Sequence, residues 1–167
     1  NTGRVLGAKA GAAVIACDIL KVVAAIALAS LISPDVSIWT GLAAAIGHCY
    51  PIFAGFKGGK AVATMFGFLL AIANKLLMRR PTWLIVRQKL LLRIPLAAFL
   101  LLLVLFKMVS LASMAAALCS SIFISVMQMD QLQIIIASWL MTILVIYRHR
   151  SNIVKIKNGQ ENKVSWL

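Results

Sequence analysis

Long apolar runs follow one another through most of this chain, and they constrain its fold more than any other feature. Gly11–Ile32, Ile38–Phe53, Val62–Leu77, Leu111–Met127 and Leu132–Tyr147 read as spans, and Ile94–Phe106 is a shorter sixth stretch. A helix crossing about 30 Å of hydrocarbon needs roughly 20 apolar residues, and about 17 suffice at the short end. No backbone polar group can go unpaired in lipid, so helices are the form these runs take. The expected fold is therefore all-α: a polytopic integral membrane helix bundle of about five to six spans, one membrane domain over residues 1–167. Composition excludes the alternatives. Hydrophobic types make up 62% of the residues and charged types 13%, against about 45–50% and about 25% in soluble domains. A soluble domain of this size has no core large enough to hide so much apolar surface, and disordered chains are poor in it.

The charge is lopsided, with 17 Lys and Arg against 4 Asp and Glu, a net +13. It sits between apolar runs, which points to a bilayer as partner and not to nucleic acid. Arg4 and Lys9 precede the first span, Lys57 and Lys60 follow the second, and Arg148, Arg150, Lys155, Lys157 and Lys163 follow the last. Ser33-Pro34-Asp35 and Gln128-Met129-Asp130-Gln131 carry no basic residue. The positive-inside rule places the basic loops in the cytoplasm and the acidic turns outside. Lys75, Arg79, Arg80, Arg87, Lys89 and Arg93 break this scheme, and Pro81 interrupts any helix there. Residues 75–93 read as an atypical basic linker, set either between segments that do not both span or on the membrane surface as a basic amphipathic piece. Cys17, Cys49 and Cys119 show no Cys-x-x-Cys spacing and read as small buried hydrophobes.

Three polar clusters carry the chemistry. In Gly47-His48-Cys49-Tyr50-Pro51 followed by Phe56-Lys57-Gly58-Gly59-Lys60, two glycines lie between two lysines. Their N–H groups are suited to an anion-binding concavity, with Lys60 just ahead of the helix that starts near Val62. A basic, flexible loop is the plainer reading. Tyr147-Arg148-His149-Arg150-Ser151-Asn152, with Gly159, Glu161 and Asn162 beyond, offers arginines for bidentate phosphate binding and a histidine for proton transfer. A charged anchor at a helix end would also produce it. Ser110 and Ser113 open an apolar run, where they serve either as caps and packing groups or as ligand contacts. Asp18 and Lys21 share a helix face inside the first span. Ionisable groups there are either functional or a structural pair. No metal-ligand cluster and no cofactor motif is expected.

Taken in order, these clusters resemble the bacterial acyl-phosphate-dependent glycerol-3-phosphate acyltransferases of the PlsY type. The family's second motif resembles Gly47-His48-x-x-Pro51 with Phe56-Lys57-Gly58-Gly59-Lys60-x-Val62-Ala63-Thr64. Its third resembles Val109-Ser110-Leu111-Ala112-Ser113 with Tyr147-Arg148-His149-Arg150-x-Asn152-Ile153 and the closing Gly159-x-Glu161-Asn162-Lys163. Its first motif, Ser-Gly-Asn-x-Gly-x-Thr-Asn with an Arg after it, corresponds here only to Asn1 and Arg4. The expectation is an N-terminally truncated member without the family's first helix.

The resemblance implies transfer of a fatty acyl group from acyl phosphate to glycerol 3-phosphate, forming lysophosphatidic acid. It implies a multi-pass protein of the bacterial inner membrane whose site faces the cytoplasm. It implies Lys60, Ser110, Ser113, His149 and Asn152 as catalytic residues. Asn1, Arg4, His48, Lys57, Gly58, Gly59, Arg148, Arg150 and Glu161 would bind substrate. Rival readings are a small membrane transporter or channel subunit, and an inactive truncated relative.

Overall fold

The computed structural model describes residues 5–77, 82–127 and 131–164, and among them the chain is helical with no strand. Seven helices follow in order: α1 (Ala8–Ser30), α2 (Pro34–Cys49), α3 (Val62–Leu77), α4 (Thr82–Phe106), α5 (Val109–Met127), α6 (Leu132–Arg148) and α7 (Arg150–Lys157). The turn between α1 and α2 follows from its three residues. Ser33 caps α2, its hydroxyl accepting from the backbone N–H groups of Asp35 at 3.1 Å and Val36 at 3.4 Å. Pro34 stands at the first helical position and Asp35 in the first turn, where its charge suits the helix dipole.

α1 packs on α2 and α3, α3 on α4, α4 on α5, and α5 on α6. α6 returns against α2 and closes the bundle. The core is built from Val22 and Ile26 of α1, Leu42 of α2, Phe68 of α3, Ile124 of α5 and Met141 of α6. Gly67 lets α1 approach α3 closely, since a Cβ there would lie 2.7 Å from the Ile19 carbonyl oxygen. Between α5 and α6 the glue is polar: Ser121 Oγ donates to the Ser138 carbonyl at 2.9 Å, and Thr142 Oγ1 to that of Ala117 at 3.0 Å. Leu28, Leu101 and Ile143 are exposed on the outside of the bundle. An apolar exterior over a mixed interior is the arrangement lipid favours.

Fewer helices reach membrane-spanning length than the sequence suggests. Among the described residues three pass on length and composition, Ala8–Ser30, Pro34–Ala54 and Val109–Met127, or four with the bent pair α6 and α7 counted as one. Val62–Ala73 and Leu90–Phe106 are shorter apolar helices. The basic stretch between Lys75 and Arg93 falls largely within helices, because α3 reaches Leu77 and α4 begins at Thr82. Arg79, Arg80 and Pro81 lie outside the described residues. At 1.5 Å per residue α4 is roughly 37 Å long, more than the hydrocarbon of a bilayer. Its apolar part begins at Leu90, so Arg87 and Lys89 come before that part in the helix sequence. α4 also runs through a fully buried Pro95, tolerated where neighbouring helices cover the freed carbonyl. Cys49 is buried, Cys119 half-buried and Cys17 exposed, so the expected burial fails for Cys17 on the outer face of α1.

Candidate active site

The ends of α2, α4 and α6 and the starts of α3 and α5 meet at one end of the bundle. α2 stops at Tyr50-Pro51, and a short 3-10 turn, Ile52–Ala54, leads into the Gly58-Gly59-Lys60 strip. Ala61, fully buried with φ +61°, turns the chain into α3. A left-handed non-glycine residue persists only where its surroundings fix it. Here they are a small apolar cluster of Cys49, Ala61, Met65, Ala117 and Val145 directly beneath the strip.

Above that floor, four polar side chains from distant parts of the sequence form one chain of hydrogen bonds. Lys60 Nζ donates to Asn152 Oδ1 at 2.6 Å. Asn152 Nδ2 donates to Glu161 Oε1 at 2.8 Å, and Ser110 Oγ donates to the same oxygen at 2.7 Å. Glu161 is brought back by the segment after α7: the Gln160 N–H donates to the Lys155 carbonyl, and the Val164 N–H to that of Lys107, both at 2.8 Å. Glu161 Oε2 is buried with no hydrogen-bond partner among the described residues, an acceptor still open to a donor.

His149 stands at the bend between α6 and α7 and is 3% exposed. Its Nδ1 lies 2.8 Å from the Val145 carbonyl. A carbonyl only accepts, so Nδ1 carries the proton and the neutral ring keeps a lone pair on Nε2. Burial pushes the pKa of His149 below its ordinary 6.5. The Val145 hydrogen bond and Glu161 push it up and Lys60 pushes it down, and the net direction is down.

The glycines are used differently from the expectation. Their N–H groups do not form a free concavity: that of Gly58 donates to the Cys49 carbonyl and that of Gly59 to the His48 carbonyl, each at 3.1 Å. Their carbonyls are held by Arg148, whose Nη2 reaches Gly58 at 2.8 Å and whose Nε reaches Gly59 at 3.1 Å. What demands glycine is space, since a Cβ on Gly59 would lie 2.0 Å from His48 Nε2. Arg148 also stacks 5.0 Å over Tyr50, a contact the sequence reading missed although Tyr50 belongs to its motif.

Other expected residues stand apart from this group. Ser113 donates back to the Val109 carbonyl at 2.8 Å and lines an apolar crevice with Val62, Met65, Phe66, Ala116 and Ser120. Arg150 is exposed and stacks 4.7 Å over Tyr147. Lys57 is exposed on the turn. Asn1 and Arg4 lie outside the described residues.

A helix bundle with a lipid-facing exterior, and a cationic polar site at one end beside an apolar crevice, defines a membrane protein equipped for an amphiphilic, anionic ligand. A family model described as glycerol-3-phosphate acyltransferase matches residues 1–159. The chain belongs to the glycerol-3-phosphate acyltransferase family. It is 43% identical over 171 residues to the glycerol-3-phosphate acyltransferase of Listeria welshimeri and 44% identical over 168 residues to that of Bacillus subtilis. Each match takes in 100% of this chain and 78% of the relative. Two crystal structures of PlsY (YgiH), an integral membrane glycerol 3-phosphate acyltransferase, share the fold. The glycerol 3-phosphate form is 30% identical with a TM-score of 0.83, covering 98% of this chain and 75% of that one. The lysophosphatidic acid form is 31% identical with a TM-score of 0.82, covering 99% and 78%.

Proposed function

We propose that the chain transfers a fatty acyl group from acyl phosphate to the 1-hydroxyl of glycerol 3-phosphate, releasing phosphate and lysophosphatidic acid. The observation that carries this is the Lys60–Asn152–Glu161–Ser110 chain, which joins the second and third motifs at one end of the bundle. In this reading that end faces the cytoplasm of a bacterial inner membrane, as the basic loops around Lys57, Lys60 and Arg148 favour.

Acyl phosphate is already activated, so the protein contributes position and charge more than a nucleophile. Lys60 holds phosphate, with Arg148 fixing the strip that presents it. The open Oε2 of Glu161 accepts from a glycerol hydroxyl. The 1-hydroxyl oxygen attacks the acyl carbon, its proton passing to His149 Nε2. The bond between acyl carbon and phosphate oxygen breaks, and phosphate leaves with the electron pair. The apolar crevice between α3 and α5, lined by Val62, Met65 and Phe66, gives the acyl chain a surface to lie against. Ser113 at its wall marks the boundary between chain and head group.

Lys60→Ala tests the reading with labelled glycerol 3-phosphate and acyl phosphate. The expected loss in kcat/KM is about 100-fold or more, roughly 2.7 kcal/mol of transition-state stabilisation. Wild-type rates in a folded Lys60→Ala chain would refute the assignment.

A further inference from the structure

One polar cluster lies outside the chain of hydrogen bonds that joins Lys60 to Ser110. Asp18 and Lys21 of α1 pair at 2.5 Å, and Lys21 Nζ lies 2.9 Å from Nδ1 of His48, at the end of α2. We infer that Asp18 and Lys21 are positioning residues for the glycerol-phosphate pocket: they fix the tautomer and ring orientation of His48, and His48 fixes the strip that carries Lys60. This deepens the acyltransferase reading and rests on it.

The tautomer follows from donor chemistry. An ammonium has donors only, so His48 Nδ1 accepts from Lys21 and the ring proton sits on Nε2. Asp18 Oδ1 is 3.4 Å from that same Nδ1 but 2.5 Å from Lys21, so its partner is the ammonium. Placing a proton on Nδ1 would aim it at a cation. The carboxylate holds the ammonium, the ammonium holds the ring, and the ring is turned with Nε2 towards the strip.

The ring orientation matters because the strip leaves no slack. His48 Nε2 occupies the space beside Gly59 that any Cβ would need. The Gly59 N–H is bound to the His48 carbonyl, and the Gly59 carbonyl to Arg148 on the other side. The peptide ahead of Lys60 is therefore clamped between α2 and α6. A ring free to swing would remove the wall against which Gly59 is seated, one residue from the lysine that holds phosphate. α1 can act as the fixed support because Gly67 lets it seat against α3 at Ile19, the residue after Asp18.

The test has a spectroscopic arm and a kinetic arm. The chain has two histidines, so 15N ring spectra in micelles resolve both. Expected in the wild type are an Nε2–H tautomer for His48 and an Nδ1–H tautomer for His149. Lys21→Met should mix the tautomers of His48 and leave His149 unchanged, which general unfolding would not do. The same variant should raise KM for glycerol 3-phosphate about tenfold, with kcat and the KM for acyl phosphate within about twofold. Lys21→Arg should restore most of the loss. Lys157→Met on exposed α7 removes the same charge and should change neither constant. If Lys21→Met does not fold, Asp18→Asn decides in its place, with the same shifts expected at smaller size. A proton on Nδ1 of His48 in the wild type, or an unchanged KM in a folded Lys21→Met chain, would overturn the inference. A wild-type chain that makes no lysophosphatidic acid would sink the acyltransferase reading, and the spectra would still decide the tautomer.

Discussion

Replacing Glu161 with alanine removes one oxygen that serves two donors. Ser110 Oγ and Asn152 Nδ2 both give their hydrogen bonds to Oε1, at 2.7 and 2.8 Å. A hydrogen bond to a charged acceptor contributes about 1.5–3 kcal/mol net. The two share an oxygen, so their contributions do not simply add. Ser110 is 6% exposed and finds no water in exchange, whereas Asn152 is half-buried and recovers part of its loss. The expected cost of Glu161→Ala is about 2–4 kcal/mol. For a chain of this size each kcal/mol moves the thermal midpoint by about 2–4 °C, so it should fall by roughly 5–15 °C. Glu161→Gln keeps an acceptor at the same reach and loses only charge assistance, about 1 kcal/mol. Thermal unfolding in micelles, followed by near-ultraviolet circular dichroism, measures both variants. A double-mutant cycle with Ser110→Ala should return a coupling of about 1–2 kcal/mol. A Glu161→Ala midpoint within about 1 °C of wild type would refute the bridging role. So would a Glu161→Gln variant as unstable as Glu161→Ala.

Gly59→Ala places a methyl 2.0 Å from His48 Nε2, so the ring must swing; KM for glycerol 3-phosphate should rise about tenfold, some 1.4 kcal/mol, and an unchanged KM would remove the steric argument. His149 is held below its ordinary 6.5 and acts through a neutral Nε2, so protonation abolishes its role. The rate should hold as pH falls to 6.5 and drop only below it; a pH–rate profile with its acid limb above 6.5 would contradict the burial argument. Ala116→Phe fills the crevice between α3 and α5 and should shift preference towards shorter acyl phosphates in a competition assay; an unchanged chain-length profile would place the acyl chain elsewhere.

Particular residues show where the sequence was readable. Gly58, Gly59 and Lys60 stood out because glycine between lysines is informative at the level of composition. The use made of them was hidden, because the partners of their N–H groups are carbonyls nine residues back, at Cys49 for Gly58 and eleven back, at His48 for Gly59. A local pattern shows which groups are available and not which are already taken. Asp18 and Lys21 were visible as a pair through their spacing, yet their third member lies 27 residues from Lys21. The join between Ser110 and Glu161 spans 51 residues and depends on how the segment after α7 folds back. Hydropathy alone shortens α4 for another reason. Arg87, Lys89 and Arg93 break the apolar run and end a span on hydropathy, but they do not disfavour helix.

The positive charge divides by place, and the division argues for a chemical reason beside the topological one. At the site end Lys21, Lys60 and Arg148 are committed to particular partners: a histidine ring, an asparagine oxygen and two backbone carbonyls. Anchoring alone asks only that a basic residue lie near the head groups, and Arg150, Lys155 and Lys157, exposed on α7, meet that requirement. α4 begins at the opposite end, next to where α3 stops, and Arg87, Lys89 and Arg93 lie in its first turns and a little beyond. The rule for loop charge is therefore an average over two populations. Cations held in hydrogen-bond geometry order the residues around Gly58, Gly59 and Lys60, while those exposed on α7 answer to the loop-charge rule alone.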